Sequence, residues 1–333
     1  MNYFRQSTSV FQLFLLLTCF TTFAIGSVAV ANGQAQSAAN DEQTAPEEVT
    51  LETKDKVQLV CTYFAPNKPA GAKEEEATTE EDPIDGKRVI PYIILHDWES
   101  SRKDTTALAT FLSSRGNAVI IPDLRGHGDS TKVAGYDKEI AAADFSTGQI
   151  SAVMGDIETC KRFLVKKNNA GELNIDMLAV IAIGKTVPLA TAWVVQDWSY
   201  APYKNGIKQG QDVKALIMIS PEKKLGSFAI NRVASAPIFS GSAALPTIIA
   251  WGTGTKQAKE VQSIYNRLEK RRPDQSGDAK TLYKASLRNS LDGTQIVSNP
   301  KLTKLWGFFH KTVSGKINDN LDKLPWQDRS KKN

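Results

Sequence analysis

Two short stretches gather side chains able to do chemistry. They are Ile94-Leu95-His96-Asp97-Trp98 and Pro122-Asp123-Leu124-Arg125-Gly126-His127-Gly128-Asp129-Ser130. Imidazoles and carboxylates brought together in this way suit proton transfer or metal ligation. Neither stretch has the tight ligand spacing of a helical His-Glu-x-x-His, so no metal site is assigned and no cofactor is expected. A third place for chemistry is the run Gly184-Lys185-Thr186-Val187-Pro188. The segment from Ala179 to Thr186 also approaches a phosphate-cradling loop. Ala179 replaces its first glycine, however, and Val180–Ile183 reads as strand, so the nest of N–H groups that holds phosphate is missing. The chain has three histidines, and the third, His310, lies among Leu305, Trp306, Phe308 and Phe309, where it reads as a packing residue.

These residues need elements to hold them. Val49–Thr53 and Val57–Phe64 read as a hairpin across a Lys-Asp-Lys turn. Val89–Leu95, Ala118–Pro122, Met177–Ile183, Val213–Ser220, Pro246–Trp251 and Thr281–Ala285 read as strands, the first as a continuous apolar run buried on both faces. Helices are expected over Thr105–Arg115, Gly148–Val165, Pro188–Trp198, Ala258–Lys270 and Leu302–Val313, from apolar residues at helical spacing and from Gly and Pro punctuation. A hairpin followed by strand–helix alternation implies an α/β fold: a mostly parallel sheet with an N-terminal antiparallel hairpin and helices on both faces. Ligands of such sheets bind at the carboxyl ends of the strands, which is where both histidine stretches fall. The domain is expected over 49–315, with an acidic surface loop at 66–87, a disordered lead-in at 32–48 and a polar, basic, solvated tail at 316–333.

The segment Pro122–Ser130 after its strand, together with Ile94–Trp98, resembles the α/β-hydrolase superfamily, and the likeness in element order spans about Val49 to Val313. The resemblance implies a nucleophile elbow, written G-x-S-x-G, at Gly184–Pro188, which puts Thr186 at the nucleophile position and the Val187 N–H at an oxyanion hole. The sequence departs from the family at every triad position. Thr186 is β-branched and resists a strained turn, Pro188 replaces the second glycine, and both changes point to an inert Thr186. The family's histidine is expected near Ser290-Leu291-Asp292-Gly293, where Asp292 stands instead. Its acid is expected after Pro246–Trp251, where Gly252–Lys256 has no carboxylate; Glu222 is read as a surface residue. The oxyanion loop has Asp97 where the family has glycine. The link from Ser220 to Pro246 is short, leaving little or no lid. These features imply a degenerate, non-catalytic member that binds a ligand through His96, Asp97, Trp98 and Val187. The alternative is a divergent hydrolase of acyl esters or related bonds.

The surrounding composition narrows partners and compartment. Formal net charge is +5 over 333 residues, with 41% hydrophobic and 23% charged residues, an ordinary globular balance. No basic stripe is interleaved with aromatics, which argues against nucleic acid. The partner is expected to be a small molecule or a protein. Met1–Ser9 is polar with Arg5, Val10–Ile25 is mostly apolar, and Ala29-Val30-Ala31 precedes Asn32: the three parts of a secretory signal peptide over 1–31. The protein is thus expected to be exported to the periplasm, cell surface or medium, with membrane contact if the leader stays uncleaved or is lipidated. Cys61 and Cys160 remain after cleavage, readable either as buried small hydrophobes or as a disulfide that export would permit.

Overall fold

The computed structural model describes residues 44–67, 84–203, 206–272 and 275–330. The leader, most of the lead-in and residues 68–83 of the acidic loop lie outside them. Eight strands form one sheet: β1 (Glu47–Glu52), β2 (Gln58–Phe64), β3 (Pro91–Leu95), β4 (Ala118–Pro122), β5 (Leu178–Ile183), β6 (Val213–Ile219), β7 (Thr247–Gly252) and β8 (Leu282–Leu287). Their spatial order is β1-β2-β4-β3-β5-β6-β7-β8. β1 and β2 pair antiparallel in the register Val49↔Cys61, and β2 joins β4 antiparallel through Cys61↔Pro122. Every pairing from β4 to β8 is parallel. This is the α/β-hydrolase sheet. The central strands are Val/Ile-rich and buried along their whole length, as strands covered on both faces must be.

The strand side chains alternate between two cores. Ile93, Leu95, Val180, Leu216 and Met218 face α3 (Met154–Asn169), α4 (Val187–Ser199) and α5 (Ala258–Glu269). Tyr92, Ile94, Ile181, Ile217 and Ile219 face α1 (Thr106–Ser113), α6 (Gly293–Ser298) and α7 (Thr303–Asn318). The helix expected over Gly148–Val165 is two: α2 (Thr147–Ala152), opened by a Ser146–Gln149 capping box, and α3, separated at Val153. Cys61 and Cys160 are buried free thiols in the same core.

Two terminal expectations change. Glu47 and Glu48 already belong to β1 rather than to a lead-in. Residues 316–330 are no solvated tail. α7 continues to Asn318, and the Arg329 side chain is 5% exposed, bonded to Asp212 at 2.5 Å and to Asp176 at 3.1 Å. A charge run in the sequence did not reveal the buried carboxylates waiting for it. No helix among the described residues is long and apolar enough to cross a membrane.

Candidate functional site

The loop after β4 is built around Asp123. Its Oδ1 accepts from the Arg102 N–H at 2.7 Å, its Oδ2 accepts from the Asp129 N–H at 2.9 Å and from the Arg102 guanidinium, and its carbonyl accepts from Ser130 Oγ at 2.8 Å. Ser130 in turn accepts the Val60 N–H at 2.8 Å, tying the loop to β2. Arg102 also reaches Asp129 and Glu48. These carboxylates are thereby committed to a guanidinium and to backbone. No group of three or more His, Cys, Asp or Glu among the described residues is placed to hold a metal.

His96 and His127 hold two loops against each other. His96 is wholly buried; its Nε2 accepts the Leu124 N–H at 3.0 Å, so its Nδ1 carries the proton donated to the Asp97 carbonyl at 2.7 Å. Burial pushes its pKa down to about 4, because a charged ring would lose solvent and the Leu124 bond. His127 faces the carbonyls of Arg125 and Trp98 through its two ring nitrogens and stands edge-on to the Trp98 ring, 4.7 Å between centroids.

At the end of β5 the structure shifts the expected elbow by two residues. The residue in the left-handed region is Gly184, φ +56°, immediately after the last strand residue. Thr186 has helical angles, φ −76° and ψ −15°, and is wholly buried, its hydroxyl shared between the carbonyls of Ile183 (2.7 Å) and His96 (2.9 Å). The Val187 N–H, expected at the oxyanion hole, closes the turn onto the Gly184 carbonyl. The position that presents a nucleophile, on the sharp turn between strand and helix, is therefore occupied by a residue without a side chain. The sequence carried a signal for this. Ala182-Ile183-Gly184-Lys185-Thr186 has small residues two before and two after the first residue beyond the apolar run, and glycine is the residue that adopts a positive φ without strain.

The space above Gly184 is filled from the neighbouring loop. Asp97 Oδ1 accepts two backbone N–H groups, from Trp98 at 2.7 Å and from Lys185 at 2.8 Å. One donor comes from the loop after β3 and the other from the residue after the elbow, the two sources from which this fold makes an oxyanion hole. A Cβ on Gly184 would overlap the Asp97 carboxylate. Burial raises the Asp97 pKa against the pull of these two bonds, and the charge of Asp292 adds to the rise. Lys185 turns outward to Glu99 at 2.5 Å rather than onto Asp97.

The remaining triad positions carry acids or small residues. Asp292 precedes α6 and caps it, accepting the Gly293 N–H at 2.8 Å. Ser220 follows β6 with φ +47° and accepts the same N–H at 3.0 Å. Glu222 feels the Asp97 charge, and burial raises its pKa. The structure thus brings Asp97, Gly184, Lys185, Glu222 and Asp292 to one end of the sheet with no imidazole among them. Of the four residues expected to line a pocket, Asp97 and Trp98 are half-buried, while His96 and Val187 are wholly buried and offer no surface to a ligand. His310 is half-buried in α7, its Nδ1 3.3 Å from Asn117 Nδ2.

No family model and no curated protein matches the sequence. Solved structures match its fold. An arylesterase aligns with 11% identity and a TM-score of 0.53, covering 83% of this chain and 86% of the other. An esterase from the fungus Rhizomucor miehei aligns with 10% identity and a TM-score of 0.51, covering 83% and 84%. A dienelactone hydrolase from Anabaena variabilis aligns with 12% identity and a TM-score of 0.50, covering 83% and 98%.

Proposed function

We propose that this is an exported protein of α/β-hydrolase fold that binds a small molecule or a protein partner and does not turn over esters. The reading rests on one observation: the Asp97 carboxylate takes both backbone donors above Gly184, so there is neither a nucleophile nor a free oxyanion hole. Acyl transfer needs a nucleophile with a base beside it and donors aimed at the charge that develops. Here a fixed negative charge lies where that developing charge would have to go. Asp292, at the place of the base, is a carboxylate engaged with the Gly293 N–H where the family has an imidazole.

The test is a fluorophosphonate labelling and an ester and thioester screen on the mature protein, beside Asp97→Gly and Asp97→Gly/Gly184→Ser. The expected result is no labelling and no turnover in the unmodified protein. Turnover by the unmodified protein that Asp97→Asn abolished would replace this reading with that of a divergent hydrolase. Export is checked by the N-terminus of the secreted form, expected at Asn32.

A further inference from the structure

Beside the closed elbow, at the same end of the sheet, a bowl of about 590 Å³ opens between the β1–β2 turn, Arg125 after β4, and the segment from Val133 to Ala152. Its size falls within that of small-molecule sites, about 300–1,000 Å³, and it lies where ligands of such sheets bind. Its apolar lining is Val57, Val133, Ile140, Ala141 and Phe145, together with Tyr136 at 74% exposure. Phe145 also touches the Trp98 ring, 6.4 Å between centroids, which extends the aromatic wall toward Asp97.

The charges at the bowl are unequal. Arg125 forms the floor with its side chain 6% exposed, and its guanidinium is already spent on buried Asp156 (2.6 Å) and on Asp55 (2.5 Å). No donor there is left over to capture an anion without displacing a carboxylate. At the rim, Glu139, Asp144 and Lys138 are exposed and make no ion pair among the described residues, two acids to one base. Two unpaired acids against one lysine, in a bowl that Tyr136 and Phe145 also line, favour a positive ligand, because aromatic faces and acids attract the same sign of charge.

We infer that this bowl binds an organic cation carrying an alkyl or aryl body, with the body against Val133, Ile140 and Phe145 and the charged head between Tyr136 and the Asp144 and Glu139 carboxylates. The inference rests on the binding reading above and gives it a ligand class. Calorimetric titration with dodecyltrimethylammonium below its micelle concentration, against dodecanoate and a non-ionic dodecyl ether, tests it. One cation should bind per protein, with dodecanoate weaker by about tenfold or more. Tyr136→Ala, at an exposed position, should weaken the cation by about tenfold. Asp144→Asn/Glu139→Gln should narrow the gap to dodecanoate. Ala152→Trp, which fills the bowl, should abolish binding. Dodecanoate binding as tightly as the cation, or cation binding indifferent to Tyr136→Ala and Ala152→Trp, would overturn the proposal. Ester turnover by the same sample would sink the non-catalytic reading while leaving these affinities unchanged.

Discussion

Asp212 at one end of the sheet and Asp97 at the other are held in opposite ways, although Asp123 and Asp156, at the same end as Asp97, also meet guanidinium groups. At the amino ends of β5 and β6, Asp176 and Asp212 meet cations. Asp212 lies between Lys161 at 2.7 Å and Arg329 at 2.5 Å, and Lys161 also reaches Asp197 at 2.5 Å. Burial alone would raise the Asp212 pKa, but the two cations overcome it and hold it low. At the carboxyl ends, Asp97 is held by two backbone N–H groups while Lys185 points away to Glu99, and burial leaves its pKa raised. The first arrangement ties the C-terminal segment to the sheet and is a structural device. The second confines a charge with partial compensation and places it on two backbone donors at the strand ends. Local arrangements that cost stability collect where a fold does its work, which is why the carboxyl end carries the functional argument.

Removing one partner from each end separates these roles. Asp212→Ala leaves Lys161 and Arg329 buried without their shared carboxylate and should cost about 3–5 kcal/mol in denaturant unfolding, with early exposure of 319–330 to proteolysis. The acid side of the stability curve should report His96. Burial holds the folded ring at about 4, below its ordinary 6.5. The unfolded chain therefore takes up the proton first as pH falls. Stability present above about 6.5 is lost between there and about 4, by up to roughly 3 kcal/mol. Asp97, whose pKa burial raises, acts with the opposite sign. The difference between unmodified protein and His96→Gln is therefore the quantity to measure.

Gly184→Ser puts a Cβ into the left-handed region and against the Asp97 carboxylate, for an expected loss of about 1–3 kcal/mol. Adding Asp97→Gly should return part of it, with a coupling of about 1 kcal/mol in a double-mutant cycle, since the two positions share one space. The smallest effect is expected from Asp97→Asn. An amide oxygen still accepts from Lys185 and Trp98 while the buried charge goes, so stability at neutral pH should change by less than about 1 kcal/mol. A strong loss there would show that the charge itself is needed.

Much of the fold was legible because it is written in local patterns. Apolar runs marked six strands, with Val89–Leu95 expected to be buried on both faces, whereas the edge strand β8 alternates in exposure. The Lys-Asp-Lys turn between alternating strands marked the hairpin. The break at Val153 was not legible, since apolar spacing continues across it and the capping box at Ser146–Gln149 marks a start rather than an interruption. Of the site, the stretches around His96 and Asp123 were placed correctly at the strand ends, but the elbow was read two residues late. A hydroxyl in a glycine-led motif drew attention to Thr186, whereas the backbone angle falls on Gly184. The roles of Asp97 and Arg329 depend on partners 88 and 117 residues away, and no spacing rule reaches that far.

The amide resonances of Lys185 and Trp98, followed through a pH titration of isotopically labelled protein, test the shared Asp97 carboxylate most directly. The account predicts that both amide protons lie downfield and move together, with one midpoint above the ordinary aspartate value of 3.8, and that Asp97→Asn abolishes the movement. Two amides that titrate separately, or that stay unchanged through the titration, would mean that no shared carboxylate bridges them, and the non-catalytic reading would lose its foundation.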